Sequence, residues 1–392
     1  MKKVLTLVLF TVLLVSVACV ACAATATETG TGVTVISANE WAETYADVYA
    51  SYMQNAENEA VIDHVEEYPM IATVYEGMAF NKFYNSARGH YYTVQDVTNT
   101  GRPHALANCF TCKTPDFTAQ VNNQGVAAYT MSFEDMLAQV NESVSCYNCH
   151  ANTPGELVVT HTYLADAMGD DFAALNAETA ACAQCHVEYY FAPETKAVTL
   201  PYTGTDTMSP DAILNFFEEI EFADYTNPRT GVKQIKVQHP EFETYMGQGS
   251  VHASQFSCAD CHMEKATNAD GEAYTSHLWV SPLASEGIQA SCAACHPDLE
   301  GFVKGIQADA EARTVAIGTK LETLTNQLAD AVASGEYTED ELNAIRSLNR
   351  QGQFYWDFVF VENSEGAHNS DLTHDCLNKA EALIDQALTL FK

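Results

Sequence analysis

Ten cysteines in five C-x-x-C pairs, and the residue following each pair, define the chemistry open to this chain. Four pairs read C-x-x-C-H: Cys146 and Cys149 before His150, Cys182 and Cys185 before His186, Cys258 and Cys261 before His262, and Cys292 and Cys295 before His296. The first pair, Cys109 and Cys112, is followed instead by Lys113. Two thiols at this spacing add to the vinyl groups of a haem, and a histidine directly after them ligates the iron. The pattern predicts five c-type haems, four taking an imidazole and one an amine from its own motif. The chain has 13 cysteines and 13 histidines in 392 residues, and chance placement would give roughly 0.01 copies of C-x-x-C-H.

Zinc is the plainer alternative, since paired C-x-x-C motifs also build structural zinc sites. Zinc, however, does not need a histidine directly after every pair. A thioredoxin-like reading fits one pair beside a βαβ unit, not five in tandem. Outside the motifs stand Cys19, Cys22 and Cys376. A chain cleaved after the first two keeps Cys376 alone and has no disulfide framework, so its haems must help to hold it together.

A haem that only relays electrons takes a second axial ligand from elsewhere in the fold. Four bis-histidine haems need four extra histidines. Nine lie outside the motifs: His64, His90, His104, His161, His239, His252, His277, His368 and His374. Spacing alone does not assign them. The fifth haem can keep one face open, and an open iron binds small molecules. Lys113 therefore marks the predicted place of chemistry.

The elements that must position these groups are mostly helical. Asn39 to Tyr49 has helical spacing. Residues 298–334 carry few breakers. Thr338 to Glu341 forms a capping box that opens a helix toward Val361. Ser370 can cap a last helix with Leu372, Leu377, Leu383, Ile384 and Leu388 on one stripe. These long helices either pack on the haem core or form a dimer interface. The expected fold is mainly α with little β: a pentahaem body over 25–297, then a long-helix region over 298–392.

Residues 1–24 read as an export signal. Lys2 and Lys3 precede an apolar run from Val4 to Val20, and Ala21-Cys22-Ala23 offers a cleavage site. A retained anchor, or lipidation at Cys19 or Cys22, is the alternative. The expected location is periplasmic. Formal charge is −34, and losing two lysines with the signal takes it to −36. That excludes nucleic-acid binding and suits cationic partners or products.

Together these residues resemble the pentahaem, ammonia-forming cytochrome c nitrite reductases. The likeness rests on the C-x-x-C-K motif followed by four C-x-x-C-H motifs, and on the strings Cys182-Ala-Gln-Cys-His-Val-Glu-Tyr-Tyr-Phe191 and Lys236-Val-Gln-His-Pro-Glu241. It extends to Arg88-Gly-His-Tyr-Tyr92 and Gly366-Ala-His-Asn369. The resemblance implies that Lys113 is the proximal ligand of the catalytic haem, with Arg102, Tyr189 and His239 lining the pocket where nitrite binds. It implies calcium held by the side chains of Glu188 and Gln238 and the backbone carbonyls of Tyr189 and Lys236. It also implies distal ligands: His90 for the Cys182/Cys185 haem, His252 for Cys292/Cys295, His277 for Cys146/Cys149 and His368 for Cys258/Cys261.

The stretch from Arg102 to Cys109 is shorter than in the family, which leaves Arg88 as the other candidate for the pocket arginine. A Glu188–Lys236 ion pair is the alternative to calcium. The resemblance further implies a homodimer fed by a multihaem quinol-oxidising cytochrome or a small soluble one. A pure electron carrier, or a reductase of hydroxylamine or sulfite, remains the competing reading.

Overall fold

A computed structural model describes residues 32–392, and 34–392 form one unit. The expected export signal, with Cys19 and Cys22, lies outside the described residues. The molecule is mainly helical. Its strand content among the described residues is three short antiparallel hairpins: β1/β2 (Tyr190–Phe191 with Val198–Thr199), β3/β4 (Tyr225–Thr226 with Lys233–Gln234) and β5/β6 (Lys265–Thr267 with Ala273–Thr275).

Three long helices form the C-terminal part: α9 (Leu299–Ser334), α10 (Glu339–Phe360) and α11 (Ser370–Leu388). Their buried positions follow an alternating three-and-four spacing. On α9 these are Ala310, Thr314, Ile317, Leu321, Leu324, Leu328 and Ala331. On α10 they include Leu342, Ile345, Asn349, Gly352, Trp356 and Val359, and on α11 Thr373, Leu377, Ala380, Ile384 and Ala387. That period presents one apolar stripe per helix, so the three pack along a shared seam. Each fully buried leucine contributes about 1.5–3 kcal/mol.

Trp356 anchors the seam. Its indole N–H donates to Thr314 O at 2.8 Å, and its ring stacks on Phe360 at 4.6 Å. Gly318 on α9 allows this approach, because a Cβ there would sit 3.0 Å from Trp356 and 3.1 Å from Met70. The capping box at Thr338 forms as the sequence predicts. Two expectations shift. Asn369, not Ser370, caps α11. The stretch from Asn39 onward is not one helix but a short 3-10 turn, Ala38–Trp41, followed by α1 (Ala46–Met53).

The middle of the chain is built of short helices and loops: α2 (Pro115–Gln124), α3 (Cys146–His150), α4 (Ala177–Ala183), α5 (Pro210–Glu219), α6 (Glu241–Met246), α7 (Cys258–His262) and α8 (Glu286–Cys292). Several of them begin on a side-chain cap that supplies the missing acceptor for a first-turn N–H: Asn176 for α4, Ser257 for α7 and Ser285 for α8. The long gap between the third and fourth motifs holds hairpins β1/β2 and β3/β4 with α5 and α6. Among the described residues, no helix is long and apolar enough to cross a membrane.

Candidate haem centres and catalytic pocket

Each C-x-x-C-H motif folds as a single helical turn. His186 N donates to Cys182 O at 3.0 Å and His296 N to Cys292 O at 2.9 Å. In a helical turn, positions i, i+3 and i+4 share a face, so both sulfurs and the imidazole of one motif address one ligand. No disulfide competes among the described residues, where all eleven cysteines are free thiols in the polypeptide.

Four imidazole pairs stand opposite one another at one separation, their planes tilted or crossed. Ring centroids are 6.0 Å apart for His90 and His186, 6.1 Å for His150 and His277, 6.0 Å for His252 and His296, and 6.0 Å for His262 and His368. An imidazole nitrogen lies about 2 Å from a transition metal, so two rings on opposite sides of one iron place their centroids roughly 6 Å apart. The residues therefore fit four bis-histidine haems in the pairing the sequence resemblance implies.

Several of the Nδ1 atoms face an acceptor: His150 to Glu156 O at 2.8 Å, His262 to Val280 O at 2.9 Å, His277 to Thr275 O at 3.0 Å and His368 to Glu362 Oε1 at 2.6 Å. An imidazole that donates from Nδ1 keeps its Nε2 lone pair free for a metal. Burial favours the neutral, ligating form, taking His90 down to about 3 and lowering His262 and His277.

Distant elements deliver the second histidines. Gly89, at φ +95°, turns the chain into His90. The His277 loop is tied to α1 and the residues after it: its N–H donates to Ser51 Oγ at 2.9 Å, and its carbonyl accepts from Asn55 at 2.8 Å. His368 is held by the Asn369 amide, which donates to the carbonyls of Thr244, Gly247 and Gln248 at 3.1, 3.3 and 3.2 Å. Neighbouring motifs touch through their sulfurs, Cys112 with Cys185 and Cys182 with Cys258.

Around the Lys113 motif the structure gathers the other singled-out residues. Arg102 lies in the field of Tyr84, Cys109 and Tyr189, and burial lowers its pKa. Tyr189 in turn feels Cys112 and Cys109. His239, lowered by burial, is in the field of Lys113 and His186. Arg88 is engaged elsewhere: its Nε donates to Asp96 at 3.0 Å, and its guanidinium covers Tyr92 at 4.0 Å.

The Glu188–Lys236 ion pair does not form. Lys236 is spent on Asp357, with Nζ 3.0 Å from Oδ1 and a further bond of 2.8 Å to Val237 O. The reason is topological, since α10 brings a fully buried carboxylate to Lys236 from 121 residues away. Glu188 is itself fully buried. One of its oxygens accepts Gln238 N at 2.6 Å, and the other has no partner. Burial, Glu243 and Asp224 raise its pKa far above the carboxylate range. Burial likewise takes Glu243 to about 8 and Asp224 to about 6. A carboxylate cluster with an orphaned oxygen lacks positive charge. The Lys236 carbonyl lies 2.8 Å from the Gln238 amide nitrogen, and hard oxygens in this arrangement fit calcium.

The sequence reading missed Asp357, Asp224, Glu243 and Glu362. It quoted Glu241 only as the end of a motif, although that carboxylate lies 3.7 Å from His186 Nδ1 and 3.8 Å from His239 Nδ1.

Helical architecture, five helical-turn cysteine motifs and four matched imidazole pairs define a multihaem c-type cytochrome. Residues 37–392 match the cytochrome c552 family. The chain belongs to that family. A cytochrome c-552 of Desulfotalea psychrophila is 30% identical over 371 residues, 86% of this chain and 72% of that protein. The fold is similar to the cytochrome c nitrite reductase of Desulfovibrio desulfuricans, with a TM-score of 0.81 and 26% identity over 94% of this chain and 87% of that one; that catalytic subunit is described with two calcium sites.

Proposed function

We propose that the protein is an exported cytochrome c nitrite reductase that converts nitrite to ammonium at the Lys113 motif. One observation carries the reading. Four imidazole pairs take up His90, His252, His277 and His368, while Lys113 would hold the Cys109/Cys112 haem in the region of Arg102, Tyr189 and His239. The reaction is NO2⁻ + 8 H⁺ + 6 e⁻ → NH4⁺ + 2 H2O. When bound, the haems supply the electrons in sequence and one open iron position.

The protein's own groups do the rest. The Arg102 guanidinium holds the nitrite charge and its oxygens. His239 and Tyr189 present N–H and O–H donors toward the departing oxygens and pass on protons. Glu188, Gln238 and the carbonyls of Tyr189 and Lys236 would hold calcium, which would supply the positive charge that this carboxylate cluster lacks. Tyr189 and Gln238, as its holders, would then fix the backbone at the pocket tyrosine and next to His239. A local positive pocket admits nitrite into an acidic protein, and the surrounding negative charge favours ammonium release. A multihaem quinol-oxidising cytochrome or a small soluble cytochrome delivers electrons, and the long helices pair two copies.

The test is ammonium production from nitrite by the holoprotein with reduced methyl viologen, with an optical spectrum alongside. Ammonium and one high-spin haem among four low-spin ones are expected. No ammonium and wholly low-spin haem would leave a pure electron carrier. Turnover of hydroxylamine or sulfite in preference to nitrite would overturn the substrate.

A further inference from the structure

The axial imidazoles differ in what accepts their Nδ1 hydrogen. Both histidines of the Cys146/Cys149 haem donate to backbone carbonyls, of Glu156 and Thr275. His368 instead donates to the carboxylate of Glu362 at 2.6 Å. Glu362 is buried, and its second oxygen accepts from Ser364 Oγ at 2.5 Å and Ser364 N at 3.3 Å, so the carboxylate cannot swing away. At His186 the Nδ1 atom lies 3.7 Å from Glu241 Oε1, a charge contact longer than a hydrogen bond. Glu241 is also buried and is held by the side-chain amide of Asn363. One stretch after α10, residues 362–364, thus supports both carboxylates. The two haems concerned are neighbours, because Cys182 and Cys258 touch. Cys185 touches Cys112 of the pocket motif, so the Cys182/Cys185 haem adjoins the Lys113 haem.

A carboxylate accepts from an imidazole more strongly than a carbonyl does. It raises the basicity of the ring as a ligand, and its buried charge favours the ferric state. We propose that Glu362 and Glu241 are positioning residues that lower the potentials of the Cys258/Cys261 and Cys182/Cys185 haems below that of the Cys146/Cys149 haem. The two haems nearest the route into the pocket are thereby made the stronger reductants. Glu241 has a second arm: the same oxygen lies 3.8 Å from Nδ1 of His239. The carboxylate proposed to tune the relay haem thus also places its charge beside the pocket histidine.

The inference rests on the reading of these histidines as axial pairs and not on nitrite as substrate. The experiment is a spectropotentiometric titration of purified holoprotein, with haem content and electron paramagnetic resonance recorded on each variant. Glu362→Gln keeps an acceptor of the same size and removes the charge. One low-spin haem should shift upward in potential while the others stay in place. Glu241→Gln should shift a different low-spin haem upward. Ser364→Ala removes a donor that competes for Glu362 and should shift the first haem downward, which decides the matter if Glu362→Gln fails to assemble. Unmoved potentials in variants with four low-spin haems intact would overturn the proposal. So would appearance of a second high-spin haem in Glu362→Gln, because Glu362 would then only hold His368 in place. A wild-type protein without four low-spin haems would refute the axial reading itself, whatever its activity.

Discussion

At the scale of single residues, the proposed pocket rests on Arg102, Tyr189 and His239. His239→Asn keeps a polar group close to the position of Nδ1 but loses the imidazole. Nitrite turnover should fall by about 10²-fold or more, the range for lost acid–base catalysis, with five haems per chain retained by haem assay. Unchanged turnover would remove His239 from the mechanism. Lys236 and Asp357 are 2% and 0% exposed, and Asp357 also accepts from Tyr75 and Val237 N. Asp357→Asn strands a buried ammonium and should cost about 3–5 kcal/mol in denaturant unfolding of the holoprotein. Cys376 is 1% exposed, and burial raises its thiol far above the usual range. With the ten motif sulfurs in thioethers, a chain without Cys19 and Cys22 should show one thiol to Ellman's reagent, and only after denaturation.

At the scale of elements, the C-terminal seam depends on close approach. Gly318→Val puts methyl groups where Trp356 and Met70 already lie and should cost about 1–3 kcal/mol by overpacking. The same unfolding curve measures it, and an unchanged midpoint would mean that α9 shifts freely. The start of α10 offers a pH test. Lys392 and the Thr338 capping contacts hold the Glu341 carboxylate down at about 2. Because the folded value lies below the unfolded one, the stabilising contribution is complete above the ordinary glutamate range and fades as pH falls toward about 2. Carbonyl carbon shifts of Glu341 against pH should report that low midpoint. A midpoint in the ordinary glutamate range would show that the tether to Lys392 is not formed in solution.

At the scale of the whole molecule, the sequence by itself determined the chemistry class and the broad architecture. Five motifs spell out local covalent attachment, because i, i+3 and i+4 share one face of a helical turn. The three-and-four spacing of α9 to α11 spells out a helical seam in the same local way. The family strings pointed to a set of pocket residues and to four distal histidines, while spacing alone left nine histidines open.

What only the tertiary structure decided was partnership across long separations. It paired Lys236 with Asp357 rather than Glu188, and it committed Arg88 to Asp96. It left one oxygen of Glu188 without a partner, and it set Glu362 on His368. Such pairings have no sequence period. They are fixed by which buried carboxylate the packing of α10 and the loops brings within reach, and a buried charge takes the partner that geometry offers.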